Sequence, residues 1–177
     1  MNTGSHPLEL LILSTGGTFE KTYDTSTGEL GFCKTGLSAW RSTCRLPSSV
    51  ETECLMLIDS LDMDDSHRVA LAQRIVQAKQ DRIVVIHGTD TLVKSAAIIN
   101  QHKRANQVVV LTGAMTPAAC ADSDALFNLG AAVASAQTCA PGVYVACSAT
   151  VFPWDQTEKD TASATFVWKT TSQYKTD

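Results

Sequence analysis

The stretch Ile83-Val84-Val85-Ile86-His87-Gly88-Thr89-Asp90 decides the fold class, because a short apolar run passes directly into a polar turn. The run does not alternate between apolar and polar residues, which is typical of a parallel strand covered on both faces. A strand, a turn and a helix in this order predict one unit of a parallel α/β sheet. The helical spacing after the turn is carried by Leu92, Ala96, Ala97 and Ile99.

The same pattern recurs along most of the chain. A helix capped by Asp64, Asp65 or Ser66 follows the run at 54–58, and a helix of small residues is predicted at 126–136. Because strand and helix alternate, we expect an α/β fold: a doubly wound, mostly parallel sheet with helices on both faces. The other apolar runs that predict strands lie at residues 8–13, 54–58, 108–111 and 142–147.

Length and composition are those of one globular domain. The 177 residues are 44% hydrophobic and 18% charged, with a formal net charge of -4, so we expect residues 1–177 to form a single domain. Lys and Arg are scattered singly, which argues against nucleic acid or a membrane surface as a partner. The first apolar run contains Glu9 and follows no basic residue, unlike a secretory leader, so a cytoplasmic location is expected.

Two segments show neither strand nor helix periodicity. Residues 22–29 are polar and contain Tyr23 as their one aromatic side chain, and we expect them to form a surface loop. Beyond Val151 the chain is polar with isolated aromatic residues. These predict either contacts in a homo-oligomer or packing onto their own domain. They include Phe152, Trp154 and Trp168.

The cysteine and histidine spacings predict no metal site. The six cysteines lack a Cys-x-x-Cys pair and the four histidines lack an i, i+4 pair, so neither zinc coordination nor a redox pair is expected. We expect the cysteines to be small buried thiols in a reducing compartment. They are Cys33, Cys44, Cys54, Cys120, Cys139 and Cys147.

Two polar turns follow buried strands: Thr15-Gly16-Gly17-Thr18 and His87-Gly88-Thr89-Asp90-Thr91. In an open parallel sheet, ligands bind beyond the carboxyl ends of the strands. The first turn also fits a structural turn or a weak phosphate loop, although neither phosphate-loop motif is present. The side chains expected to surround one pocket are Thr18, Thr89, Asp90 and Thr91.

These residue types suggest nucleophilic catalysis on a small polar substrate. A threonine hydroxyl is a poor nucleophile at neutral pH and needs a proton acceptor. Lys159 is a candidate acceptor if it is desolvated, and a solvated surface lysine is the alternative. Asp90 fits a cap of the next helix, and equally an anchor for a substrate ammonium or an orienting acid. His87 is expected to be a hydrogen-bonded structural residue.

Five segments carry a resemblance to a known family: Ser14-Thr15-Gly16-Gly17-Thr18, Ser60-Leu61-Asp62-Met63, Ile86-His87-Gly88-Thr89-Asp90-Thr91, Leu111-Thr112-Gly113-Ala114-Met115 followed by Pro117, and Leu126-Phe127-Asn128-Leu129. With these segments in this order, the chain resembles the N-terminal catalytic domain of the bacterial-type L-asparaginase family. Its length is similar to that of the short, single-domain branch. The pairing of Thr-Gly-Gly-Thr with His-Gly-Thr-Asp-Thr is the most specific part of the resemblance.

The resemblance implies a set of catalytic residues. Thr18 would attack the side-chain amide carbon of the substrate, giving an acyl-enzyme and ammonia, and water would then free aspartate. Tyr23 would close over the substrate and support Thr18. A second group, made of a hydroxyl, an acid and a lysine, would consist of Thr89, Asp90 and Lys159.

The resemblance also implies the substrate-binding residues. Ser60 would bind the substrate carboxylate, Asp90 would hold the ammonium, and the main chain of Ala114 would help to position the amide. No cofactor is implied. The expected set is completed by Gly17, Gly88 and Thr89.

The implied function is that of an L-asparagine amidohydrolase that works as a homodimer or a larger homo-oligomer. Glutaminase or another amidase is an alternative that differs in the length of the side chain accepted. The residues around Lys159 and residues 116–125 depart from the family pattern, which leaves a non-catalytic amino-acid-binding module open as a further alternative. The second domain of full-length members is absent from the chain, so we expect substrate capture to be complete without it.

Overall fold

In a computed structural model, which describes residues 9–170, the apolar runs form the strands of a central sheet. The first predicted run begins at Leu8, which lies outside the described residues. The helices are α1 (Leu37–Thr43), α2 (Asp65–Gln77), α3 (Leu92–His102) and α4 (Ala125–Thr138). The strands are β1 (Leu10–Gly16), β2 (Thr22–Asp24), β3 (Glu29–Gly31), β4 (Val50–Ile58), β5 (Arg82–Ile86), β6 (Val108–Thr112), β7 (Gly142–Cys147), β8 (Thr150–Pro153), β9 (Thr157–Asp160) and β10 (Thr165–Trp168).

The central sheet has six strands in the order β4-β1-β5-β6-β7-β8. β1 pairs in parallel with both β4 and β5, and the edge strand β8 runs antiparallel to β7. If the five parallel strands β1, β4, β5, β6 and β7 are numbered 1 to 5 along the chain, their order in the sheet is 2-1-3-4-5. This is a doubly wound order, in which the ligand site lies where strands 1 and 3 meet. The predicted fold class is confirmed, and the switch point lies at the carboxyl ends of β1 and β5.

Alternate residues of the central strands face opposite layers of helices. Leu11 and Leu13 of β1 belong to the core cluster under α2 and α3, whereas Leu10 and Ile12 belong to the cluster under α1 and α4. All four side chains are almost fully buried. Because both faces of the sheet are covered, apolar residues follow one another without a break over residues 10–13, 83–86 and 108–111, which explains the missing alternation in the sequence.

Two segments without a predicted element are hairpins. β2 and β3 pair around a turn in which Gly28 has a φ of 75°, so the surface loop expected at 22–29 is a short exposed hairpin. β9 and β10 form the second hairpin. Both hairpins are mainly polar and lack the hydrophobic pattern from which strands are predicted.

The helix α1 was also not predicted, and β4 begins at Val50, earlier than the apolar run at 54–58.

The helices of the described part are short. The longest of them, α4, has 14 residues, and no helix within residues 9–170 is long and apolar enough to cross a membrane.

α2 begins at one of the predicted caps, because the Asp64 carboxylate accepts a hydrogen bond from His67 N at 3.0 Å. The imidazole of His67 accepts one from Asp64 N in return, which completes a capping box.

The aromatic residues after β7 pack mainly onto their own domain. Phe152 is 3% exposed and meets Trp168 edge to face, with 4.8 Å between ring centroids. Trp154 packs against the core cluster under α2 and α3. The expectation that Phe152 contacts another subunit is therefore wrong, because its side chain offers no free surface. The indole of Trp168 is 53% exposed.

Replacing Leu111 by alanine is expected to lower the free energy of unfolding by about 2–5 kcal/mol, because this fully buried side chain fills the core beside β6. Urea denaturation followed by circular dichroism measures the change. The matched control is Leu30→Ala on the exposed hairpin, which should change the value by less than about 0.5 kcal/mol. Equal losses in the two variants would contradict the assignment of the core.

Candidate active site

The turns after β1 and β5 touch each other. A Cβ atom added to Gly17 would lie 2.4 Å from Gly88 Cα, too close for any residue except glycine. Gly17 also has a φ of 69°, in the left-handed region that favours glycine. At the start of the first turn, Thr15 Oγ1 donates a hydrogen bond to Ile86 O at 3.0 Å. The two turns therefore meet at the switch point of the sheet.

Two further strand ends close on the same point. Ser60 follows β4, and a Cβ atom on Gly88 would lie 2.6 Å from the Ser60 hydroxyl oxygen. Gly113 follows β6, and a Cβ atom there would lie 2.6 Å from His87 O and 2.9 Å from Thr89 Cγ2. The ends of β1, β4, β5 and β6 thus enclose one small region around Gly88.

Lys159 reaches the second turn from the hairpin of β9 and β10. Its Nζ donates hydrogen bonds to Thr89 Oγ1 at 2.8 Å and to Asp90 Oδ1 at 2.7 Å. The lysine side chain is 16% exposed, so the alternative of a solvated surface lysine is wrong. Because Thr89 Oγ1 accepts a hydrogen bond from the lysine, its own O–H is left to donate to a ligand.

Asp90 and Thr91 do not cap α3. Thr91 occupies the cap position but makes no side-chain hydrogen bond to the helix, and Asp90 pairs with Lys159 instead. Thr91 Oγ1 donates to Ser60 O at 2.7 Å and accepts from the Arg68 guanidinium at 3.1 Å. Thr91 therefore supports the Ser60 turn, and its hydroxyl is already bonded to that turn and to Arg68.

The Ser60 hydroxyl is a buried polar group without a partner. Ser60 is fully buried, and its Oγ has no hydrogen-bond partner among the residues that the structure describes. An unpaired buried hydroxyl costs free energy, which a ligand atom that accepts its proton would relieve. The hydroxyl lies against Gly88, the residue that precedes Thr89.

Thr18 begins a single 3-10 turn, Thr18–Glu20, directly after β1. The other two residues of the turn are buried, whereas Thr18 is partly exposed. The Glu20 carboxylate accepts hydrogen bonds from Ser14 Oγ at 2.5 Å, Thr35 Oγ1 at 2.8 Å and Gly36 N at 2.9 Å. These bonds fix the turn from behind and leave Thr18 as its accessible residue.

Tyr23, another predicted site residue, lies on the exposed hairpin of β2 and β3. It belongs to β2, its side chain is 64% exposed, and its hydroxyl is 3.9 Å from the position of a Cβ atom on Gly28. The ring lines a cavity of about 260 Å³ formed within the hairpin segment, with residues 22–25 and 31–33. The structure therefore places Tyr23 over its own hairpin and gives it no hydrogen bond to another residue of the described part.

The loop after β6 is held by two side chains that sequence reasoning missed. The Asp124 carboxylate accepts hydrogen bonds from the amides of residues 115 and 116 at 3.0–3.1 Å. Asn128 donates to Gly113 O at 3.0 Å. These bonds lie on both sides of Ala114, which is buried. An asparagine in the otherwise small and apolar α4 was the signal available in the sequence.

His87 is a neutral structural residue, as expected. Its Nδ1 lies 2.8 Å from Gly88 O and its Nε2 lies 2.8 Å from Ser95 Oγ. A carbonyl can only accept, so Nδ1 carries the proton and Nε2 accepts from the serine. Burial lowers the pKa of His87 from its ordinary value of 6.5 to about 4. The ring therefore fixes the backbone of the second turn without a charge.

The cysteines are all free thiols in the described part. Cys147 is buried, and burial raises the pKa of its thiol to about 11. Cys33 and Cys120 are exposed, so the expectation of buried thiols is wrong for these two. Within residues 9–170, no group of three or more His, Cys, Asp or Glu side chains is placed to hold a metal ion.

The fold and the site indicate the class of protein. Hydroxyl, carboxylate and lysine groups gathered at the switch point of a parallel sheet are suited to nucleophilic hydrolysis. A family model described as "Asparaginase, N-terminal" matches residues 9–173. The chain belongs to the asparaginase family of hydrolases.

Relatives and solved structures agree with this assignment. The L-asparaginase of Thermococcus kodakarensis is 33% identical over 149 residues, and its solved structure superimposes with a TM-score of 0.78 over 90% of this chain and 50% of that one, at 28% identity. A structure described as a probable cytoplasmic L-asparaginase from Campylobacter jejuni has a TM-score of 0.75 at 29% identity, over 85% of this chain and 49% of that one. One subunit of the glutamyl-tRNA(Gln) amidotransferase of Aeropyrum pernix is 36% identical over 135 residues.

The matches cover much of this chain but only part of each relative. They include 78% of the chain and 44% of the Thermococcus kodakarensis sequence, and 71% of the chain and 31% of the Aeropyrum pernix sequence. The chain thus spans less than half the length of these curated relatives.

Gly17→Ala is expected to destabilise the protein and abolish its function, because the new Cβ atom would collide with Gly88 at a strained φ. Gly130→Ala is the matched control, since no atom lies within 4 Å of a Cβ at this position of α4. Alanine there should raise the free energy of unfolding by about 0.5–1 kcal/mol. Thermal denaturation measures both changes, and a Gly17→Ala protein as stable as the wild type would contradict the contact between the turns.

The low pKa of His87 predicts a loss of stability in acid. The unfolded chain binds this proton near pH 6.5 and the folded chain only near pH 4. The free energy of unfolding should therefore fall between these pH values, by about 3 kcal/mol for this group. Denaturation over a pH series should show the fall in the wild type and in the exposed-site control His102→Asn. It should be strongly reduced in His87→Asn; an equal slope in all three would refute the assignment.

Proposed function

We propose that the chain hydrolyses the side-chain amide of L-asparagine to aspartate and ammonia through a threonine acyl-enzyme. The observation that carries this proposal is the set of hydrogen bonds from Lys159 to Thr89 and Asp90, beside the turn of Thr18. These bonds supply the hydroxyl, lysine and carboxylate that a threonine nucleophile needs as partners. The relatives named L-asparaginase support the choice of substrate.

In the first half of the reaction, Thr18 Oγ1 attacks the amide carbon, and its proton passes by way of the Lys159 group to the leaving nitrogen. The C–N bond then breaks, and the nitrogen departs as ammonia. In the second half, water attacks the ester carbon, the bond from that carbon to Thr18 Oγ1 breaks, and a proton of the water returns to Thr18 Oγ1, which frees aspartate. Thr89, through its free O–H, orients the attacking water, and Asp90 holds Lys159 in place.

The substrate is held by anchors at the strand ends. The Ser60 hydroxyl donates to the substrate carboxylate, which gives this buried group the partner it lacks among residues 9–170. Asp90, whose side chain is 38% exposed, accepts from the ammonium. Backbone groups of Gly17, Gly88 and Ala114 complete the pocket, and an amide donor aimed at the oxyanion contributes roughly 3 kcal/mol in other enzymes.

Tyr23 joins this site only when the hairpin of β2 and β3 moves. Its ring now covers the hairpin, and the proposed role requires the hydroxyl to turn toward Thr18 and close over the substrate. We expect such a movement to cost little, because most residues of the hairpin are exposed.

We further propose a cytoplasmic homo-oligomer, at least a dimer. The Campylobacter jejuni structure named a probable cytoplasmic L-asparaginase supports the location. The exposed indole of Trp168 supplies an apolar surface for a second copy of the chain. Light scattering should give at least twice the mass of one chain, and the mass of one chain would refute the oligomer.

Thr18→Ala and Lys159→Met are expected to fold and to lose more than about 99% of the activity, because they remove the nucleophile and the proton acceptor. Lys94→Met is the matched control, since Lys94 is an exposed lysine of α3, and it should keep wild-type activity. Ammonia release from L-asparagine, with circular dichroism as a check of folding, measures the effect.

The outcomes separate the alternatives. Ammonia release from the wild type no greater than from Thr18→Ala would refute the proposal. Binding of asparagine by calorimetry without turnover would favour an amino-acid-binding module. Faster turnover of glutamine than of asparagine would favour a glutaminase.

A further inference from the structure

An ion pair outside the proposed catalytic group joins the segment of Thr18 to that of Ser60. Lys21 Nζ lies 2.6 Å from Asp59 Oδ2, and each side chain is 24% exposed. Lys21 is the third residue after Thr18, and Asp59 directly precedes Ser60. The pair therefore connects the nucleophile of the proposed reaction with the anchor of the substrate carboxylate.

Each partner of the pair is also hydrogen-bonded to the turn it stabilises. Lys21 N donates to Thr18 O at 3.2 Å and so closes the 3-10 turn. Asp59 Oδ1 accepts from Leu61 N at 3.1 Å, so the carboxylate spans the peptide groups of Ser60. A displacement of either charged group would thus be passed to Thr18 or Ser60 through one hydrogen-bonded turn.

A backbone hydrogen bond makes the corresponding link before Thr18. Gly17 N donates to Ile58 O at 2.9 Å, which ties the start of the turn to the end of β4. Gly17 is also held against the backbone of Gly88. The link through Lys21 and Asp59 adds a second connection, on the other side of Thr18.

The charges around the pair favour a permanent link. The hydrogen bond from Lys21 holds the pKa of Asp59 below its ordinary value, and the field of Lys159 acts in the same direction. Asp59 therefore stays ionised at neutral pH. Phe32 covers Lys21, with 5.9 Å from Nζ to the ring centroid, which limits the paths by which the lysine can leave the carboxylate.

We propose that the ion pair of Lys21 and Asp59 positions Thr18 relative to Ser60 and so sets the rate of attack on the substrate amide. This inference rests on the proposed function, which gives Thr18 and Ser60 their roles. Lys21 and Asp59 are positioning residues that do not touch the substrate. Rates depend steeply on such placement, since a displacement of about 1 Å can cost about 100-fold.

The test uses variants that remove one charge at a time. In Lys21→Met and Asp59→Asn, kcat for asparagine should fall at least about tenfold, with KM within about threefold of the wild type. Lys21→Arg keeps the ion pair and should keep kcat within about threefold. The double variant should be no slower than the slower single variant, because both changes remove the same interaction.

A second ion pair supplies the matched control. Arg74 of α2 binds Glu53 of β4 at 2.6 Å, with side chains 26% and 37% exposed, well before the carboxyl end of the strand. Arg74→Met should leave kcat unchanged. Because partly exposed ion pairs add little to stability, Tm should fall by no more than about 4 °C in Lys21→Met and in Arg74→Met.

The remaining outcomes distinguish this inference from the proposed function. An unchanged kcat in Lys21→Met would overturn it, and so would a raised KM at unchanged kcat, which would make Lys21 a substrate-binding residue. A wild type without asparagine turnover would refute the proposed function instead. In that case kcat cannot be measured, and amide hydrogen exchange tests the positioning role instead. The amides of residues 17–21 should exchange at least about fivefold faster in Lys21→Met than in Arg74→Met. Equal exchange rates in the two variants would overturn the positioning role.

Discussion

The close approach of Gly17 to Gly88 is the constraint on which the rest of the site depends. A side chain on Gly17 would collide with Gly88, and one on Gly88 would collide with Ser60. Because neither residue has a side chain, the backbones that follow β1, β4 and β5 can pack directly against one another. Thr18 and Thr89 each follow one of these glycines, so the contact that joins the turns also fixes where both hydroxyls can lie.

Two lysine–aspartate pairs flank this glycine contact. Lys159 enters from the hairpin of β9 and β10 and holds Asp90 beside Thr89, whereas Lys21 holds Asp59 beside Ser60. Each positive charge is thus balanced close to the turn it supports. The sheet beneath the pairs is largely apolar and the buried His87 is neutral, so the two pairs supply charge at the carboxyl ends of the strands.

Sequence patterns predicted the sheet and the meeting of its two polar turns, because both follow from local features. An apolar run without alternation indicates a doubly covered strand, and strand order brings the ends of β1 and β5 together. The contact of Lys159 with Thr89 joins residues far apart in the chain through a polar hairpin, so it came only from the family resemblance. Asp124 occupies the N-cap position of α4, yet its carboxylate accepts hydrogen bonds from the loop after β6, since tertiary contacts decide its partner.

A crystal structure with bound L-aspartate is the most direct test of the central claim that the two turns enclose one amino-acid ligand. The account predicts that a side-chain carboxylate oxygen of aspartate lies within about 3.5 Å of both Thr18 Oγ1 and Thr89 Oγ1, with Lys159 still bonded to Thr89. Aspartate bound elsewhere on the protein, or in contact with only one of the two turns, would contradict it.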